Sequence, residues 1–207
     1  MRNYLNIGYV VISMTQRSRN QSDFDELFLQ KPGEDGRYVA LWFDYMSTNM
    51  YISGYREALG LLVKYIQAER ADNIIVYPVI FLCRHSVELA LKECIIESSR
   101  FHRKEIPDKI YRTHDLKYLT DTLKKAYPNI MKDRNWSRHE NFFRKWESAD
   151  PDGMFGRYPR NTSGSLIKVT GNISILKIAG ESLMALDTLE GLLTEIDEFK
   201  SLRENWS

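Results

Sequence analysis

Cysteine, proline and glycine are all scarce. The 207 residues hold two cysteines, six prolines and eleven glycines. Cys83 and Cys94 lie in one apolar helical pattern, about 16 Å apart along a helix axis, too far to bridge within one helix. They read as buried reduced thiols, which fits a reducing cytoplasm. No CxxC or HExxH pattern occurs, so a zinc site would need four scattered ligands; no metal or other cofactor is expected. So few prolines and glycines argue against a turn-dense β-fold. No charge excess of either sign exists. Lys and Arg number 29, Asp and Glu 28, and the net charge is +1. That excludes a globally basic nucleic-acid binder and an acidic tail, but leaves local patches open. Long hydrophobic runs are absent too. The longest uncharged apolar run, residues 73–83, is about half of the ~20 residues a membrane span needs. Residues 4–14 are apolar, yet Asn6, Gly8 and Tyr9 interrupt them and no small-residue cleavage site follows, which argues against a signal peptide. No membrane partner is expected.

What remains is an ordinary globular composition, 43% hydrophobic and 28% charged, of a length that suits one domain with an extension. Residues 1–22 read as an extended arm carrying the β-formers Tyr9 to Ile12, with Met14 as an alternative start. Residues 23–207 read as the domain, opened by a Ser22 cap. Helical spacing of apolar residues predicts long helices over 39–69, 75–99 and 173–202. Shorter ones are predicted over 114–126, capped by Thr113, and over 136–146. The 75–99 helix is apolar on most faces and therefore central. Residues 100–112 read as a basic loop, 150–164 as a Gly- and Pro-containing loop, and 166–170 as one short strand. The fold class is all-α, a bundle of four to five main helices.

Several polar residues do not belong in that pattern. Residues 81–92 read FLCRHSVELALK. Arg84, Glu88 and Lys92 recur every four residues on one stripe of an otherwise apolar helix, with His85 beside them. A lone buried charge costs several kcal/mol, so these groups pair or line a wet cleft. One reading is an intrahelical Arg84–Glu88 ion pair pinning the bundle. The other is a polar pocket in which Arg84 binds an anion and His85 titrates. His114 and Asp115 open the next helix, either as part of its cap or with His114 facing Arg84 and His85. Arg157 and Tyr158, flanked by Gly156 and Pro159, form either a salt-bridged loop or a phosphate clamp. A further match is RNWSRH at residues 134–139. It places Arg134, Asn135 and His139 in an R-N-x-x-x-H spacing near a helix start.

The RHxxEL stretch at 84–89, the HDL start at 114–116 and the RYP loop at 157–159 together resemble the HEPN superfamily, helical domains of prokaryotic toxin and antiviral-defence systems. The likeness covers about residues 51–193. It implies a four- or five-helix bundle. It also implies a homodimer whose paired R-x(4–6)-H motifs form one composite cleft, and metal-independent cleavage of RNA. Arg134, Asn135 and His139 match that motif. The resemblance further admits a cognate antitoxin or defence protein as partner, and inactive members that serve as interaction modules. The chemistry suits these residue types. RNA supplies its own 2′-OH nucleophile, a His near neutral pKa moves the proton, and an Arg stabilises charge on the phosphate. The expected catalytic residues are Arg134, Asn135, His139, Arg84 and His85. The expected substrate-binding residues are Glu88, Lys92, His114, Arg157 and Tyr158.

Overall fold

The computed structural model describes residues 48–68, 74–151, 153–161, 163–167 and 172–204. The N-terminal arm, the Met14 start, the Ser22 cap and positions 39–47 of the first predicted helix lie outside the described residues. The described chain is an all-α bundle of five helices: α1 (Thr48–Ala68), α2 (Val76–Phe101), α3 (Leu116–Ala126), α4 (Trp136–Ala149) and α5 (Ile175–Glu204). Single 3-10 turns at Asp108–Tyr111 and Pro128–Lys132 join α2 to α3 and α3 to α4. Among the described residues, no helix is long and apolar enough to cross a membrane.

The apolar helix is central because nearly every face must be covered. α2 packs against α5, α1 and α3, and α4 closes the bundle against α3 and α5. The main core gathers Leu91 and Ile95 from α2, Leu119 and Leu123 from α3, Phe143 from α4 and Leu189 from α5. Burying each such side chain contributes about 1.5–3 kcal/mol. A smaller cluster of Leu59, Ile66, Val79, Cys83 and Ala179 joins α1, α2 and α5. Pro78 sits in the first turn of α2, where its missing N–H has no intrahelical partner to lose. Both cysteines are buried and unpaired, and burial pushes the Cys83 thiol up to about 12.

Several helix ends differ from the sequence expectation, and α5 is shifted by two residues at both ends, from 173–202 to Ile175–Glu204. α3 is capped by Asp115, not Thr113: Asp115 Oδ1 accepts from the Tyr118 amide at 2.8 Å. Thr113 Oγ1 instead accepts from the Asp115 amide at 3.1 Å. A carboxylate two residues nearer the helix reaches the free amide of its first turn, and His114 is left in the turn before α3. α2 continues to Phe101, so the basic connector begins as helix. The connector also contains one 3-10 turn whose Ile110 is buried in the core. α4 runs to Ala149, three residues beyond the expected end. Of the short strand at 166–170, residues 168–170 lie outside the described set. The described part makes one antiparallel bridge, Arg160 with Leu166, at the neck of a hairpin-like loop.

Candidate functional site

On α2, positions four apart drift by about 40°. Arg84, Glu88 and Lys92 therefore lean towards successive neighbours rather than one. Arg84 is 1% exposed and points to α4 and the turn before α3. Its Nη2 donates to the His114 carbonyl at 2.9 Å and to Glu147 Oε2 at 3.4 Å, and its Nε lies 3.8 Å from Asp150 Oδ2. The intrahelical Arg84–Glu88 pair does not form. Glu147 and Asp150, at the end of α4, take that place.

Glu88 is also 1% exposed, and its partners are the basic side chains of Lys92, His114 and Arg157. Its Oε1 accepts from Lys92 Nζ at 2.8 Å and from His114 Nδ1 at 2.9 Å, while Oε2 lies 3.9 Å from Arg157 Nη2. Burial resists ionisation of this carboxyl. Lys92 and His114 outweigh burial and hold it below the ordinary glutamate value. A carboxylate only accepts, so the His114 proton facing it sits on Nδ1. In the neutral ring Nε2 then carries a lone pair, on a side chain that is 49% exposed.

His85 is held differently. Its ring stacks on Phe81, with centroids 5.2 Å apart, and meets the Tyr55 edge at 5.0 Å. Arg157 Nη2 lies 3.3 Å from His85 Nδ1. A guanidinium only donates, so Nδ1 accepts and the neutral ring carries its proton on Nε2. Burial first, then the charge of Arg157, lowers the His85 pKa, with Glu88 opposing.

Arg157 reaches the cluster because the loop before it is clamped to α2. Asp150 Oδ1 accepts from the Met154 and Phe155 amides at 2.9 and 3.1 Å, folding the loop back on itself. Gly156 adopts φ +91°. A Cβ there would lie 3.0 Å from the Phe81 amide nitrogen and 3.1 Å from the Tyr77 carbonyl oxygen. Only glycine allows that conformation this close to the helix backbone. The Arg157 guanidinium then lies over the Phe81 ring, 5.3 Å from its centroid. Tyr158 is exposed beside it.

The structure therefore brings together His85, Glu88, Lys92, His114 and Arg157, with Arg84 beneath. Tyr55 and Phe81 were not foreseen, since aromatics at helical spacing read as core. The R-N-x-x-x-H residues are arranged otherwise. Arg134 lies in the turn before α4, ahead of the Asn135 cap, whereas His139 lies on the helix itself, so the two side chains share no helix face. His139 is 1% exposed; its Nε2 meets Thr188 Oγ1 at 3.1 Å and its ring stacks on Phe143. Burial lowers its pKa. Arg134 is exposed, and Asn135 stands at the start of α4 without a side-chain capping bond. A neighbouring cavity of about 690 Å³ is lined by Asn135 and Thr188, but by neither Arg134 nor His139.

Among the described residues, no group of three or more His, Cys, Asp or Glu side chains converges as a metal-ligand set. No protein-family model, curated protein or solved structure matches the chain.

Proposed function

We propose that this protein is a metal-independent endoribonuclease of a prokaryotic toxin or antiviral-defence system, cleaving single-stranded RNA at the cluster on α2. The observation that carries the reading is the Glu88–His114 dyad: a buried carboxylate holds Nδ1–H of a half-exposed imidazole, beside the cations Lys92 and Arg157. The defence context, the RNA strand and a cognate antitoxin as partner come from the HEPN resemblance.

The chemistry follows from which nitrogen each ring leaves available. His114 Nε2 takes the proton of the RNA 2′-OH, and Glu88 balances the imidazolium that forms. The 2′-oxygen bonds to the adjacent phosphorus and the P–O5′ bond breaks. Arg157 and Lys92 stabilise the charge that develops on the phosphoryl oxygens. His85, in its charged form, gives the proton to the departing 5′-oxygen. The products are a 2′,3′-cyclic phosphate and a 5′-hydroxyl end. Arg157 couples binding to this step. While it donates to His85 Nδ1 it disfavours the charged ring; when it turns to a phosphate, Nδ1 is free to take a proton.

The test is cleavage of a labelled single-stranded RNA in EDTA. His114→Ala is expected to lower the rate by about 10²-fold or more, whereas His139→Gln retains cleavage. A His114→Ala protein that cleaves at the wild-type rate refutes the assignment. A non-catalytic interaction module is the second reading, favoured by the burial of Arg84 among structural partners. Absence of RNA cleavage by folded wild-type protein selects it.

A further inference from the structure

We infer that Arg84 is a positioning residue. Its one buried guanidinium holds the turn that carries His114 and the loop that carries Arg157 against the same point of α2, so that base and phosphate clamp are set together. The roles of those two residues rest on the reading above; the way Arg84 holds them does not.

The first hold is on His114 itself, through the 2.9 Å bond from Arg84 Nη2 to its carbonyl. The same Nη2 reaches Glu147 Oε2, and that oxygen also accepts from the Leu116 amide at 2.8 Å. The turn from His114 to Leu116 is therefore tied to Arg84 directly and through a shared carboxylate. The second hold is on the loop. Arg84 Nε faces Asp150 Oδ2, while the other oxygen of that carboxyl gathers the Met154 and Phe155 amides. The Met154 carbonyl in turn accepts from the Arg157 amide at 3.0 Å. From the far side, Gly153 at φ +62° rests on the guanidinium so closely that a Cβ would lie 2.8 Å from Nε.

Stability alone does not call for this arrangement. Arg84 is buried, yet its Nε and Nη1 have no hydrogen-bond partner among the described residues, nor has Asp150 Oδ2. Well-packed apolar side chains often fill such a site as well as a buried ion pair or better. What a planar fork offers, and an apolar side chain or a point-charge ammonium does not, is simultaneous reach to two chain segments.

Two glycines provide the discriminating experiment in the full chain. Gly153→Ala and Gly164→Ala both place a Cβ at positive φ, but Gly164, at φ +81°, has nothing within 4 Å. Only the first substitution presses on Arg84. Nitrogen NMR of the His114 ring and the KM and kcat of RNA cleavage are measured for both, and for Arg84→Lys. Gly153→Ala and Arg84→Lys are expected to lower kcat by about 10- to 100-fold with KM within about threefold, as small misplacements of reacting groups do. The His114 ring should lose its single Nδ1–H tautomer. Gly164→Ala should match wild type in both. Folded Gly153→Ala or Arg84→Lys protein with wild-type His114 signals and kcat overturns the inference, as does a Gly164→Ala protein that behaves like Gly153→Ala. If Arg84→Lys fails to fold, the glycine pair decides. If wild type itself cleaves no RNA, the enzymatic reading fails while the ring signals still decide the positioning.

Discussion

His114 bonds the Glu88 carboxylate and His85 bonds Arg157, and these neighbours force opposite tautomers on the two rings. Glu88 can only accept and Arg157 can only donate, so one ring offers a lone pair at Nε2 and the other an N–H. The same neighbours set how His85 titrates. Burial and the Arg157 charge hold its pKa below the ordinary 6.5. On acidification it therefore takes up its proton later than an exposed histidine does. If His85 supplies the proton to the leaving group, kcat/KM falls as pH rises through this depressed pKa. Arg157→Ala removes the nearby charge and uncovers part of the ring, and both changes raise the His85 pKa. In an NMR titration of the His85 ring, its midpoint is expected below 6.5 in wild type and higher in the variant. A midpoint that does not move separates Arg157 from His85 and removes the coupling. The charged residues of this cluster were legible because Arg84, Glu88 and Lys92 stand out in an apolar helix. Their pairing was not. Helical spacing favours Arg84 with Glu88, and nothing local reveals that Glu147 and Asp150, sixty residues on, reach Arg84 first.

Helices and loops divide along a similar line. The helices were legible because apolar periodicity reports a buried face wherever a long amphipathic segment packs. Their ends were less so: Thr113 and Asp115 are both good caps, and the choice between them depends on backbone geometry that composition does not carry. The 150–157 loop shows what periodicity cannot report. Its glycines looked like chain breakers, yet two of them are close-approach points on α2 and on Arg84. His139 shows the converse. Its spacing from Arg134 suggested chemistry, but Arg134 precedes α4, and His139, on α4, turns into the core against Phe143 and Thr188. The loop clamp can be tested through stability. Gly156→Ala drives a methyl towards the Phe81 and Tyr77 backbone, where neither atom can move without disturbing α2, and adds strain at positive φ. It is expected to cost about 1–3 kcal/mol, and more than Gly164→Ala, which meets open space. Thermal unfolding of both variants measures this, and equal losses would mean that the loop does not bear on α2.

One chain presents one copy of the cluster on one edge of the bundle, and the outer surface of α1 offers a way to pair two. Tyr51, Gly54 and Leu61 are exposed there, with Ala58 half-buried between them. They follow a three-four-three spacing, the seam by which two helices pack side by side. Small residues at 54 and 58 let the backbones approach, and the aromatic and the leucine supply apolar area. With a net charge of +1, two copies repel each other little at long range. A self-complementary stripe of this kind makes a two-fold contact, in which each residue faces its own counterpart or a near neighbour. A homodimer is therefore expected, as the HEPN resemblance also implies, with basic residues of both chains along one cleft. Light scattering at micromolar concentration should give about twice the mass of the chain. Leu61→Glu places like charges near the two-fold axis and should yield monomers that keep the helical circular-dichroism spectrum. Cleavage that falls together with the dimer locates part of the site in the second copy. Cleavage that persists in the monomer confines the chemistry to the cluster of a single chain, and a wild-type protein that is monomeric at that concentration removes the composite cleft altogether.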